Sequence, residues 1–142
     1  MQISEHYLGY PKETLIVVTN NHQAKLLKAH EREIEEFEVL AADEREADER
    51  ASGTANAAPP ETDEERQHDR KELYHQLSDR LLELVHDGTE HIVLCAPEAL
   101  KNQITDAMHT DVMKCVDEVV PKNLASLDLD QIVRILQEKR VA

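Results

Sequence analysis

The 142-residue sequence predicts an α/β domain built on a five-stranded mixed sheet with three helices, in the order βββαβαβα. Three observations predict it. Short, continuous β-branched and aliphatic runs at TLIVVT (14–19) and HIVLCA (91–96) suit strands buried on both faces. The segment from Glu36 to Ala41 alternates acidic and apolar residues with a period of two, as a half-exposed strand does. Beyond Pro59 and Pro60 the period changes to about 3.6, so that Leu73, Leu77, Leu81 and Leu84 fall on one helical face. The length suits one hydrophobic core, and residues 1–142 are expected to form a single domain.

Each element has its own local signal. The first strand, Thr14 to Thr19, follows the turn signal Gly9-Tyr10-Pro11. Asn20-Asn21-His22 tolerates turn conformations, and AKLLKAH then returns as the second strand of a hairpin. In the third strand Phe37, Val39 and Ala41 are expected on one side and Glu36 and Glu38 on the other. The first helix carries Tyr74 and Val85 beside its leucine stripe. It is announced by the two prolines and a Thr62 to Glu65 capping box, and ended by Asp87-Gly88. HIVLCA is the fourth strand, and Pro97 suits the first turn of a helix presenting Leu100, Ile104 and Met108. VMKCVDEVV (112–120) reads as the fifth strand. Asp128 caps the last helix, with Leu127 able to staple onto Ile132 while Leu129, Val133 and Leu136 extend the apolar side. A three-strand meander followed by two strand–helix units, joined by right-handed crossovers, places helices on the faces of a mixed sheet.

Charge is unevenly spread along the chain. The formal net charge is −14, and the segment from Glu31 to Glu72 alone holds 16 acidic and 6 basic residues. An acidic surface repels phosphates, whose binding draws on lysine and arginine contacts, so free DNA or RNA is not an expected partner. No apolar run approaches the roughly twenty residues needed to cross a bilayer. The start MQISEHYLGYPKE lacks the basic end and apolar stretch of a signal peptide, so the expectation is a cytoplasmic protein without membrane insertion. Cys95 and Cys115 lie in apolar segments, as reduced packing residues do, and there is no C-x-x-C pair. The stretch 43–61 has almost no large apolar residue and reads as a long, acidic, mobile surface insertion.

Taken in order, VVTNNHQAKLL, the leucine-striped helix, IVLCAPEALKNQI and VPKNLASLDLDQIVRIL resemble the bacterial host attachment protein family. That family is in turn similar to the central domain of archaeal and eukaryotic peptide chain release factors and of Pelota. The resemblance runs from about Thr14 to Leu136, and its best pieces are the strand ending Ala96-Pro97 and the Lys122-Asn123-Leu124 turn. It implies a sheet of the ribonuclease H type. Release factor central domains carry a Gly-Gly-Gln loop between the third strand and the long helix, which presents glutamine to the ester of peptidyl-tRNA. Here the only glycines are Gly9, Gly53 and Gly88, none adjacent to another, so the flexible backbone such a loop needs is missing. Many host attachment proteins also look glycine-rich and basic in this loop, whereas this chain offers Ala51 to Pro60 flanked by acidic runs. Hydrolysis of peptidyl-tRNA by that mechanism is therefore not expected.

Other chemistries are equally short of parts. A ribonuclease H nuclease needs carboxylates converging on two metal ions, one of them near the end of the first strand, where Asn20 stands. An amide is a poor substitute for a charged ligand. Glu65 with His68 and Glu72 with His75 both form Glu-x-x-His, but in series on one helix about 10 Å apart rather than on facing helices. His75 with Glu72 and Asp79 reads as a surface charge cluster, and no metal or other cofactor is expected. Ser52, Ser78 and Ser126 lack a Gly-x-Ser-x-Gly setting, Cys95 reads as core, and no catalytic residue is assigned.

Two groups of binding candidates remain. Asn20, Asn21 and His22 lie at the end of a central strand, where open α/β sheets contact ligands, and also read as an ordinary hairpin turn. Lys122 and Asn123 form another contact candidate and also read as a lead into the last helix. The expected function is a non-catalytic binding domain, ribosome- or translation-associated, with a protein or ribosomal partner. The alternative is a protein-interaction module for cell-surface or host attachment that binds through the acidic insertion.

Overall fold

The computed structural model describes residues 1–5, 7–41 and 63–141. Its elements are β1 (Tyr10–Thr19), β2 (Gln23–Glu31), β3 (Glu33–Ala41), α1 (Asp63–His86), β4 (Ile92–Cys95), α2 (Lys101–Ala107), α3 (Thr110–Met113), β5 (Val116–Val120) and α4 (Leu129–Val141). One five-stranded sheet runs in the order β3-β2-β1-β4-β5. The β1–β2 and β2–β3 pairs are antiparallel, and the β1–β4 and β4–β5 pairs are parallel. The chain is thus α/β with a mixed sheet, as its pattern predicts.

β1 is flanked by strands on both sides and covered on both faces, which is why its apolar run is unbroken. Its side chains alternate between two cores. Leu15 and Val17 join Leu26, Leu94 and the stripe of α1, whereas Ile16 and Val18 join Leu27, Cys95 and the inner side of α4. On α1 the residues Leu73, Tyr74, Leu77 and Leu81 are completely buried. Each such leucine contributes about 1.5–3 kcal/mol over its exposed form. α1 stops where the sequence says it should. Gly88 has a φ of 120°; its N–H reaches the Val85 carbonyl and that of Thr89 the Leu84 carbonyl, closing the helix end.

Among the described residues there are four helices where three were expected. The extra one, α3, takes Val112 and Met113 out of the run read as strand, and β5 begins only at Val116. His109 explains the change: its Nδ1 accepts the Asp111 N–H at 3.3 Å, capping a short helix, while its own N–H donates to Ser78 Oγ on α1 at 2.8 Å. β3 also departs from simple alternation. Leu26 pairs with Glu38 and Leu27 with Glu36, so Phe37 is an extra residue and the facing of the strand changes there. Phe37 and Leu40 pack on the α1 side, and Val39 is left 49% exposed. At α4 Gln131 Oε1 accepts the Asp128 backbone N–H at 3.2 Å, the reciprocal half of a capping box, and Leu127 packs on the core that holds Ile132.

The N-terminal residues lie along the outer side of β3. Met1 N donates to the Ile34 carbonyl at 3.0 Å, Ile34 N–H returns to the Met1 carbonyl at 2.9 Å, and Ile3 N–H reaches Arg32 O at 2.6 Å. The acidic insertion expected at 43–61 and Thr62 of the expected capping box lie outside the described residues. Among the described residues no helix is long and apolar enough to cross a membrane.

Candidate functional site

β1, β4 and β5 run parallel, so Thr19, Cys95 and Val120 end at the same side of the sheet. The Asn20–Gln23 turn and the 121–128 loop both emerge there. Asn20 is only 8% exposed. Its Oδ1 accepts the N–H groups of His22 at 2.8 Å and Gln23 at 2.9 Å, and its own N–H donates to the Gln23 carbonyl at 3.0 Å. The amide carbonyl is thereby occupied in closing the hairpin, a local side-chain turn that asparagine favours. Asn21 is half-buried and His22 exposed.

Two side chains tie this hairpin to the loop before α4. Gln23 Nε2 donates to the Ala125 carbonyl at 3.1 Å, and Lys25 Nζ donates to the Leu127 carbonyl at 3.2 Å. Leu124 and Ala125 anchor the loop in the core, leaving Lys122 and Asn123 exposed. The structure therefore brings the two candidate groups to one end of the sheet. Gln23 and Lys25, which join them, carry no motif of their own; their role depends on which loop lies beside the hairpin. His22, Lys122 and Asn123 offer an exposed polar surface able to form hydrogen bonds with a partner.

A second arrangement lies at the opposite end of the parallel strands. Tyr10 pairs with Glu31, yet Thr14 pairs with Ala29, so residues 11–13 depart from the ladder. Beside that irregularity is a cleft of about 320 Å³, lined by Tyr10, Lys12, Thr14, His91, Asp117 and Leu136 among others. His91 Nδ1 and Asp117 Oδ2 are 2.8 Å apart, a pair created by the β4–β5 register. No sequence motif could have paired these two residues. The Thr14 hydroxyl lining the same cleft donates to the Lys12 carbonyl at 2.9 Å, so it is directed at backbone and not at the imidazole. The carboxylate orients the ring, but among the described residues lining the cleft no nucleophile is aligned with the pair.

Among the described residues no group of three or more histidine, cysteine, aspartate and glutamate side chains is placed to hold a metal ion. Glu72 and His75 lie exposed on α1, and the side chains of Glu65 and His68 lie outside the description. Cys95 is completely buried, and the half-buried Cys115 has its sulfur 3.8 Å from the Thr89 carbonyl.

No curated protein matches the chain. A family model for the bacterial archaeo-eukaryotic release factor family 12 matches residues 13–136, from the start of β1 into α4. With a mixed sheet, a long helix after the meander and a match over nearly the whole fold, the chain belongs to the bacterial archaeo-eukaryotic release factor family 12.

Proposed function

We propose that this chain is a non-catalytic, release-factor-like binding domain that associates with ribosomes or translation factors in the cytoplasm and does not hydrolyse peptidyl-tRNA. One observation carries the reading: a release factor family match over residues 13–136 in a chain with no Gly-Gly pair, and so no Gly-Gly-Gln. The family supplies the translation context, and the missing glycines remove the flexible loop on which hydrolysis depends. The end of the sheet bearing His22, Lys122 and Asn123 supports a contact role, because these side chains are exposed while the backbone beneath them is held by Gln23 and Lys25. The acidic charge favours protein over bare nucleic acid as the contact.

Sedimentation of the tagged chain from lysate through a sucrose gradient, at low and moderate salt, tests this role. Co-migration with ribosomal subunits is expected, weakened by His22→Ala with Lys122→Glu. Slow sedimentation as free protein at both salts, with an envelope protein recovered on pull-down, would replace this reading with the cell-surface one. Release of the peptide from a peptidyl-tRNA substrate by the purified chain would overturn the non-catalytic part.

A further inference from the structure

We propose that the outer edge of β3, from Glu36 to Ala41, is a docking strand for an extended, lysine-rich segment of a partner protein. The proposal deepens the binding reading above and rests on it.

Among the described strands β3 lies at the edge of the sheet, paired with β2 on one side. In an antiparallel ladder successive residues direct their N–H and C=O groups alternately to the two sides. Ile34 directs both of its groups outward, since they bond to Met1. Counting from Ile34 and allowing for the extra residue at Phe37, Glu36, Val39 and Ala41 also direct theirs outward. Met1 to Ile3 already add to this edge at Arg32 to Ile34, so the edge accepts strand addition there. That addition stops before Glu36.

The side chains choose the occupant. Glu33, Glu35 and Glu36 are exposed and make no ion pair among the described residues, and Val39 stands 49% exposed beyond them. Edge strands commonly carry charge to prevent pairing with another copy, and two acidic edges laid together would place like charges opposite each other. A second copy is therefore excluded by the same glutamates that complement lysine. An extended segment alternating basic and apolar residues would satisfy the outward backbone groups. Its lysines would lie on the face that carries Glu33 and Glu35, and its apolar residues on the opposite face beside Val39.

The probe is a synthetic peptide of about eight residues alternating lysine and valine, titrated into the full chain by calorimetry and followed by hydrogen exchange at single amides. Slower exchange at Glu36, Val39 and Ala41, at least tenfold, is the expected result. Val39→Pro removes an outward N–H without touching the β2 ladder and is expected to abolish the binding. The Glu35→Lys, Glu36→Lys double variant leaves the backbone intact and is expected to weaken it at least tenfold. Unchanged exchange, outward amides already slow without peptide, or equal binding of a glutamate–valine peptide would each overturn the proposal. Retention of ribosomal co-migration by Val39→Pro would also overturn it while leaving the binding function standing; loss of co-migration only with His22 and Lys122 would locate the contact elsewhere.

Discussion

Tyr74 is completely buried on α1, yet its hydroxyl has no hydrogen-bond partner among the described residues. A buried polar atom without a partner costs about 1–3 kcal/mol. Tyr74→Phe removes the atom and keeps the ring, so thermal melts should show a stability gain of about 1 kcal/mol, or about 3–4 °C in Tm for a domain of this size. Burial also pushes the phenol pKa above its ordinary value of 10.0, opposed by the Arg70 charge. The folded state thus holds the neutral form after the unfolded chain has begun to ionise. Tyr74 consequently contributes full stability below pH 10 and loses it as the pH rises from there toward the folded-state value. In melts at increasing alkaline pH, Tyr74→Phe should lose less stability than the parent; equal losses would show that other groups govern alkaline unfolding. Gly9 is the opposite case, a position that no side chain suits. Its φ is 69°, a Cβ there would lie 2.5 Å from the Glu31 carbonyl oxygen, and its N–H donates to the buried Gln137 Oε1 at 3.0 Å. Gly9→Ala should therefore lower stability by roughly 3 kcal/mol through left-handed strain and backbone displacement. A Tm within a degree of the parent would contradict this account.

Between elements, α1 is fixed to β3 by one two-pronged contact: Arg80 Nε lies 3.0 and 2.9 Å from the two Glu38 oxygens. Both side chains are about 30% exposed, so solvent weakens the pair, and Glu38→Gln should cost about 1 kcal/mol, less at high salt. This contact also marks the limit of what pattern reading reaches. The α1 stripe was legible because its leucines repeat with the helical period and every one of them meets the same core. The central strand was legible because burial on both faces demands an unbroken apolar run. The facing of β3 was not, because the extra residue at Phe37 shifts the parity, and a period-two rule carries no information about where a partner strand skips. Glu38, expected on the side opposite Phe37, turns toward Arg80 for that reason. α3 was missed because Val112 and Met113 look like strand residues, while their helical turn is set by His109 and by Ser78 on a distant element. The candidate site was half legible. Asn20 and Lys122 are visible as polar breaks after strands, but the links made by Gln23 and Lys25 span more than a hundred residues of sequence.

At the scale of the whole molecule, the net charge of −14 competes with a small number of local attractions. The described ion pairs include Lys101 with Glu98 at 3.6 Å, Arg134 with Asp130 at 3.5 Å and Lys114 with Asp111 at 3.9 Å, all with at least one partner well exposed. Pairs of this kind contribute about 0–1 kcal/mol each and are themselves screened by salt. Repulsion among unpaired acids is spread over the surface, including Glu33, Glu35 and Glu36 side by side on β3, and it destabilises the compact state relative to an expanded chain. Raising ionic strength from about 0.01 M to about 0.15 M shortens the screening length from roughly 30 Å to roughly 8 Å. That change removes most long-range repulsion but leaves contacts such as Arg80 to Glu38 partly intact, because their partners are less than 4 Å apart and half shielded by protein. The repulsion should therefore be the larger loss, and Tm should rise by several degrees over this range. The Glu35→Lys, Glu36→Lys variant, with a net charge four units less negative, should show a smaller rise than the parent. A Tm that falls with added salt would mean that local pairs, and not the acidic excess, set the electrostatic balance of the fold.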